Sequence, residues 1–218
     1  LQNSTAVIIG AMLVAPLFSP LLALSLAIVQ GNVRLLRVAT ESMVKGIALS
    51  IGLAALLASL MPVPTLTPQI ILRTEPNLLD LAVALASGIA GAYAVARKDV
   101  AAALPGVAIA AALVPPLGVV GVGMAVGDLS VAGGSLLLFA ANLIAIALAG
   151  SLTFLLLGFR PGARGIRELH LRRGLTTTLL LFVLIAIPLA AIFTQSVRSA
   201  AMRQSVISTL REGLAESQ

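Results

Sequence analysis

Cysteine and tryptophan are absent from this 218-residue chain, which holds a single tyrosine and a single histidine. Without cysteine there is no disulfide, no thiol nucleophile and no thiolate metal site, and the redox compartment leaves no mark. With Tyr93 alone, the aromatic belt common at membrane interfaces is nearly missing. Charge is scarce as well: Asp, Glu, Lys and Arg are 10% of the residues, where a soluble domain carries about 25%. The rest is apolar, 59% hydrophobic with a mean hydropathy of +1.10. That composition excludes a soluble domain and points to an all-α protein crossing the bilayer several times. The net charge of +6 does not point to nucleic acid, because the basic residues fall in links between apolar runs.

The chain is organised around Ala111-Ala112-Leu113-Val114-Pro115-Pro116-Leu117-Gly118, inside an apolar run from about 101 to 126. Proline has no amide hydrogen and its ring clashes with the preceding turn. Two in succession predict a broken helix, whose freed backbone is tolerated only within protein or beside a polar cavity. A second such device, Gly10 to Leu21 with Pro16, Ser19 and Pro20, lies in the first apolar run. Shifting the chain by 96 residues lays Gly10 on Gly106, Leu17 on Leu113, Pro20 on Pro116 and Gly31 on Gly127, with Asn32 meeting Asp128. Paired interrupted spans in corresponding halves mark the binding site of many transporters.

Six spans are expected, two of them broken by Pro or Gly. Span one covers about 6–29 and is closed by Gln30-Gly31-Asn32. The link after it, with Arg34, Arg37, Glu41 and Lys45, reads as a short interfacial or extended helix. Glu41 and Lys45 stand in the favourable order for an ion pair. Span two covers about 46–61, or starts earlier, near Thr40, which draws Glu41 and Lys45 to the membrane edge; span three covers about 78–96. In span three, Ala84/Gly88 and Ser87/Gly91 give the small-residue spacing that lets helices approach closely. Span four is the double-proline run. Span five, about 133–158, has Asn142 near its middle, and span six, about 175–197, contains Pro188. The segment 198–218 reads as an amphipathic tail that either lies on the membrane surface or leads into a soluble domain outside this chain. The transmembrane domain is thus 1–197, in halves of about 1–96 and 97–197. Three spans per half is odd, so the halves form an inverted 3+3 repeat. Lys and Arg concentrate in 30–45, 97–100 and 159–174, which places those loops on the cytoplasmic side.

The stretch Asn3-Ser4-Thr5-Ala6-Val7-Ile8-Ile9-Gly10-Ala11-Met12-Leu13-Val14-Ala15-Pro16-Leu17, continued by Gln30-Gly31-Asn32, resembles a bacterial and archaeal membrane family, domain of unknown function 389. Residues Gly106 to Pro116 resemble it too. The resemblance implies residence in a bacterial or archaeal cytoplasmic membrane. It also implies a further helix before Leu1, which would pair with span three and leave span six outside the duplication, and a soluble domain at one end. It implies no activity.

The substrate or ion path is therefore expected at Pro16, Ser19, Pro20, Val114, Pro115, Pro116, Gly118 and Asn142, with Gln30, Asn32 and Asp128 as candidate gates. Against this stand bland readings: a packing kink for the prolines, an interhelical hydrogen bond for Ser19 and Asn142, and helix ends for the gate residues. No charged residue stands at the centre of a span, which argues against a carboxylate relay. His170 reads as a solvated loop residue. With no metal-ligand spacing, no cofactor motif and no base near Ser19, an enzyme is not expected. The expected function is a transporter or channel for a small solute or ion. The alternative is a membrane anchor or sensor whose soluble domain carries the activity. The expected partners are the bilayer, anionic headgroups at the basic loops and further copies of the chain; nucleic acid is not among them.

Overall fold

The computed structural model describes residues 17–60, 78–97 and 103–160, with short pieces at 70, 74, 173, 176–180, 183, 184 and 187. Pro16, most of 61–77, all of 161–172, Pro188 and the segment 198–218 lie outside the described residues. Among the described residues, five α-helices have defined bounds: α1 (Phe18–Gln30), α2 (Val33–Ser59), α3 (Leu78–Ala96), α4 (Ala103–Val126) and α5 (Leu129–Leu156). Four, α2 to α5, are long and apolar enough to cross a membrane, while α1 is a shorter apolar helix. No strand occurs among the described residues.

Two differences from the sequence reading stand out. The link after span one is not separate: α2, a 27-residue helix, runs through it from Val33, earlier even than the alternative start near Thr40. At about 1.5 Å per residue this reaches roughly 40 Å, beyond a hydrocarbon core of about 30 Å. Its charged first half can therefore project past the lipid tails. There Glu41 pairs with Arg37 at 3.7 Å rather than with Lys45. The second difference is that α4 is unbroken, with Pro115 and Pro116 inside it.

Two corners join the helices, and they are alike. Gly31 (φ 59°) and Gly127 (φ 80°) take the left-handed conformation that glycine adopts without strain. The amide of Gly31 donates to the carbonyl of Ile28 and that of Asn32 to Ala27; Gly127 donates to Met124 and Asp128 to Gly123. Each is a helix end of the Schellman type. Asn32 (φ −93°, ψ 94°) and Asp128 (φ −92°, ψ 93°) then cap the following helix. Asn32 Oδ1 accepts from the Leu35 amide, and Asp128 Oδ1 from those of Ser130 and Val131. A third glycine end, Gly158 (φ 90°), is backed by the edge-on contact of Phe154 with Phe159, 5.4 Å between ring centres.

Small residues set the packing. A methyl on Gly88 of α3 would sit 2.6 Å from the carbonyl oxygen of Ile146, so α3 and α5 touch backbone to backbone. In the same way Gly121 of α4 lies against Ile51 and Ala54 of α2, and Gly150 of α5 against Ser25 of α1. The last two contacts correspond under the 96-residue shift, which carries Ser25 to Gly121 and Ala54 to Gly150. Helix α5 is the most buried element, and α2 is the most exposed of the long ones, with Leu49, Leu53, Leu56, Leu57 and Leu60 uncovered.

Candidate functional site

The double proline removes two amide donors from α4. In an unbroken helix the amides at 115 and 116 would serve the carbonyls of Ala111 and Ala112. Buried carbonyls left without a donor cost about 1–3 kcal/mol each. The second is served from α5: Asn142 Nδ2 donates to the Ala112 carbonyl at 3.0 Å. That bond explains how α4 continues through Pro116 without a break.

Asn142 is 2% exposed, and its Oδ1 has no partner among the described residues. The amide orientation is fixed by chemistry, because a carbonyl oxygen accepts only and must face Nδ2. Beside it lies a cavity of about 260 Å³ lined by Asp80, Val83, Ala108, Ala111, Ala112 and Asn142. Asn142 is near the midpoint of α5, about 20 Å from either end at ~1.5 Å per residue. Asp80, in the first turn of α3, reaches the same cavity and so sits at the depth of the centre of α5. Within its own span Asp80 stands in the first turn, not at the centre. Sequence reasoning missed Asp80 because it begins an apolar helix and looked like the end of a loop. Its one signal was a carboxylate three residues inside the apolar run.

The other expected site residues are distributed unevenly. Pro116 is fully buried, while Val114, Pro115 and Gly118 are half-buried. A methyl on Gly118 would meet nothing within 4 Å. Pro20 is half-buried in the first turn of α1, where a missing amide costs little, and Ser19 is exposed. Leu17 and Leu21 share one apolar core with Leu113 and Leu117, so both proline segments pack into the same interior. The cavity opens beside α4 and receives neither Ser19 nor Pro20. Gln30 ends α1, and Asn32 and Asp128 form the two corners. The Asp128 carboxyl is held below its ordinary value of 3.8, chiefly by the Ser130 hydroxyl at 2.8 Å and then by the Val131 amide. A larger groove of about 590 Å³ runs along residues 33–45, and among the described residues it is lined by α2 alone.

Residues 12–148 match the family described as "Domain of unknown function (DUF389)". An uncharacterised protein of the archaeon Methanocaldococcus jannaschii is 31% identical over 160 residues, covering 73% of this chain and 50% of that protein. The chain thus spans half the length of the curated relative it matches. No solved structure matches it.

Proposed function

This chain belongs to the family described as a domain of unknown function (DUF389), and from the geometry of its interior we propose that it is a transporter or channel for a small solute or ion. The supporting observation is the cavity at the centre of α5, where a buried amide oxygen without a partner and a carboxylate meet a helix stripped of two amide donors. Intramembrane polar groups are expensive and rarely kept without use. The path runs along α4, past Pro115, Pro116 and Asn142, with Gln30, Asn32 and Asp128 at its ends.

The halves form an inverted repeat. Three helices long enough to span, α2, α3 and α4, lie between the two corners. The corners therefore face opposite sides, with the basic segments 30–45, 97–100 and 159–174 in the cytoplasm. The uncovered leucines of α2 meet lipid or another copy of the chain. The test is flux in proteoliposomes, with alkali cations, small anions and neutral solutes against empty vesicles. Protein-dependent flux reduced by Asn142→Ala carries the reading. Absence of flux across the panel from folded protein rejects it. It would favour instead a membrane anchor for a soluble domain, a reading motivated by the half of the archaeal relative that this chain does not cover.

A further inference from the structure

We propose that the cavity between α3, α4 and α5 binds a small neutral molecule that donates a hydrogen bond to Asn142 Oδ1 and lays an apolar body against Val83, Ala108, Ala111 and Ala112. The proposal names a substrate class for the transport reading and rests on that reading for its use, though not for its chemistry.

The recognition turns on one atom. Asn142 Nδ2 is engaged by the Ala112 carbonyl at 3.0 Å, and Oδ1 is buried without a partner among the described residues. An amide oxygen only accepts, so whatever satisfies it must bring an N–H or an O–H. The side chains around it supply none: Val83, Ala108, Ala111 and Ala112 carry no donor, and Asp80, which already has a partner, is not paired with Oδ1. A bare acceptor at this depth is costly, and a donor on a bound molecule removes that cost.

Charge, ligand number and size narrow the class. Asn142 stands near the midpoint of α5, where a net charge is far more expensive than a neutral dipole. No Lys, Arg or His lines the cavity to receive an anion. A hard cation takes about six oxygen ligands, and one unpartnered amide oxygen does not make such a set. The alkyl side chains that form most of the wall suit a hydrocarbon body. A volume of about 260 Å³ exceeds the ~150 Å³ of an engineered apolar cavity that holds benzene, so a molecule of roughly ten non-hydrogen atoms fits. Val83, 56% exposed, marks the rim through which it enters. Small alcohols, phenols and primary amides meet these terms.

The test is binding of para-fluorophenol to the purified chain in lipid–detergent micelles, read by fluorine NMR at neutral pH against para-fluorotoluene. The two probes are nearly equal in size, but the methyl has no donor, and a phenol is uncharged at neutral pH. Empty micelles correct for partitioning. Saturable binding of the phenol is expected, about fivefold or more tighter than that of the toluene after this correction, the worth of one hydrogen bond to a buried acceptor. Val83→Phe narrows the rim and should weaken both probes. Pro116→Ala combined with Asn142→Leu returns a backbone amide to the Ala112 carbonyl while removing Oδ1. It should erase the preference for the phenol. The unfolding midpoint reports whether each variant is folded, and each tests the site by itself. No saturable binding overturns the proposal and leaves the cavity to water or lipid chains. So does equal affinity for the two probes, or a preference that survives the loss of Oδ1. Binding is read here without flux. Solute flux without probe binding therefore rejects this proposal alone, and probe binding without flux of any solute rejects the transport reading alone.

Discussion

The side-chain amide of Asn142, on α5, donates to the Ala112 carbonyl of α4 at 3.0 Å, at the position where Pro116 has removed the helical donor. The two features make sense only together. Proline frees the carbonyl, and a residue 30 positions later in the chain satisfies it.

Their coupling is measurable. Asn142→Leu should destabilise the fold by about 1–2 kcal/mol, the upper range for an interhelical hydrogen bond in a membrane. In a Pro116→Ala background an amide is again available to Ala112, and the same change should cost distinctly less. The four proteins form a double-mutant cycle, read by reversible unfolding in mixed micelles. Strict additivity would mean that Asn142 is not serving the carbonyl that Pro116 frees.

Much of the fold could be read in the chain, and the failures share one cause. The corners Gly31–Asn32 and Gly127–Asp128 were visible because a left-handed glycine followed by a short capping side chain is local chemistry. The small residues Ala84, Ser87, Gly88 and Gly91 gave away a close helix contact, and Gly88 makes one with Ile146. The continuity of α4 was not visible, because its remedy is tertiary. Nor was the depth of Asp80. Nearness to the start of an apolar run says nothing about where that run begins relative to α5. The link before span two read as a separate element because Arg34, Arg37, Glu41 and Lys45 signal an interface, although a helix longer than the bilayer carries such charges without interruption. Of the expected path, Asn142 lines the cavity, whereas Val114, Pro115, Pro116 and Gly118 are not among its lining residues, and Ser19 lies on the surface.

Glycine substitutions should separate contact from open space. Gly88→Ala places a methyl 2.6 Å from the Ile146 carbonyl oxygen and 3.0 Å from the Ala149 methyl. Backbone cannot swing aside, so a loss of about 1–3 kcal/mol is expected, the usual cost of overpacking. Gly118→Ala meets nothing within 4 Å and should be neutral or gain about 0.5–1 kcal/mol from helix propensity. Thermal unfolding of the two variants side by side decides it. Equal behaviour would place the α3–α5 contact elsewhere.

Asp128 should give the fold a small acid dependence that Asn32, its neutral counterpart in the other corner, does not. The Ser130 hydroxyl and the Val131 and Ser130 amides all favour the carboxylate and hold its pKa below 3.8. A carboxyl lowered in the folded state adds stability above its unfolded value. That contribution fades as pH falls below about 3.8 and through the lowered native value. Asp128→Asn keeps the cap and should flatten this part of the stability–pH curve. An unchanged curve in the variant would assign the acid dependence to another group.

The proposed inversion of the halves carries a consequence for sidedness. Val33 and Leu129 are related by the 96-residue shift, open the helices after the two corners and are well exposed, at 58% and 79%. Helices α2, α3 and α4 lie between them, each long enough to cross. If all three cross, as proposed, the two positions lie on opposite faces of the membrane. The chain has no native cysteine, so Val33→Cys and Leu129→Cys each provide one reporter on a silent background. A membrane-impermeant thiol reagent should label Val33→Cys only from the cytoplasmic face, beside Arg34 and Arg37. It should label Leu129→Cys only from the opposite face, where Asp128 is the charged residue of the corner. Labelling of both from one side would mean that one of the three helices does not cross. The two corners would then be copies in sequence and conformation without being inverted, and a site at the pseudo-two-fold between the halves would lose its geometric basis.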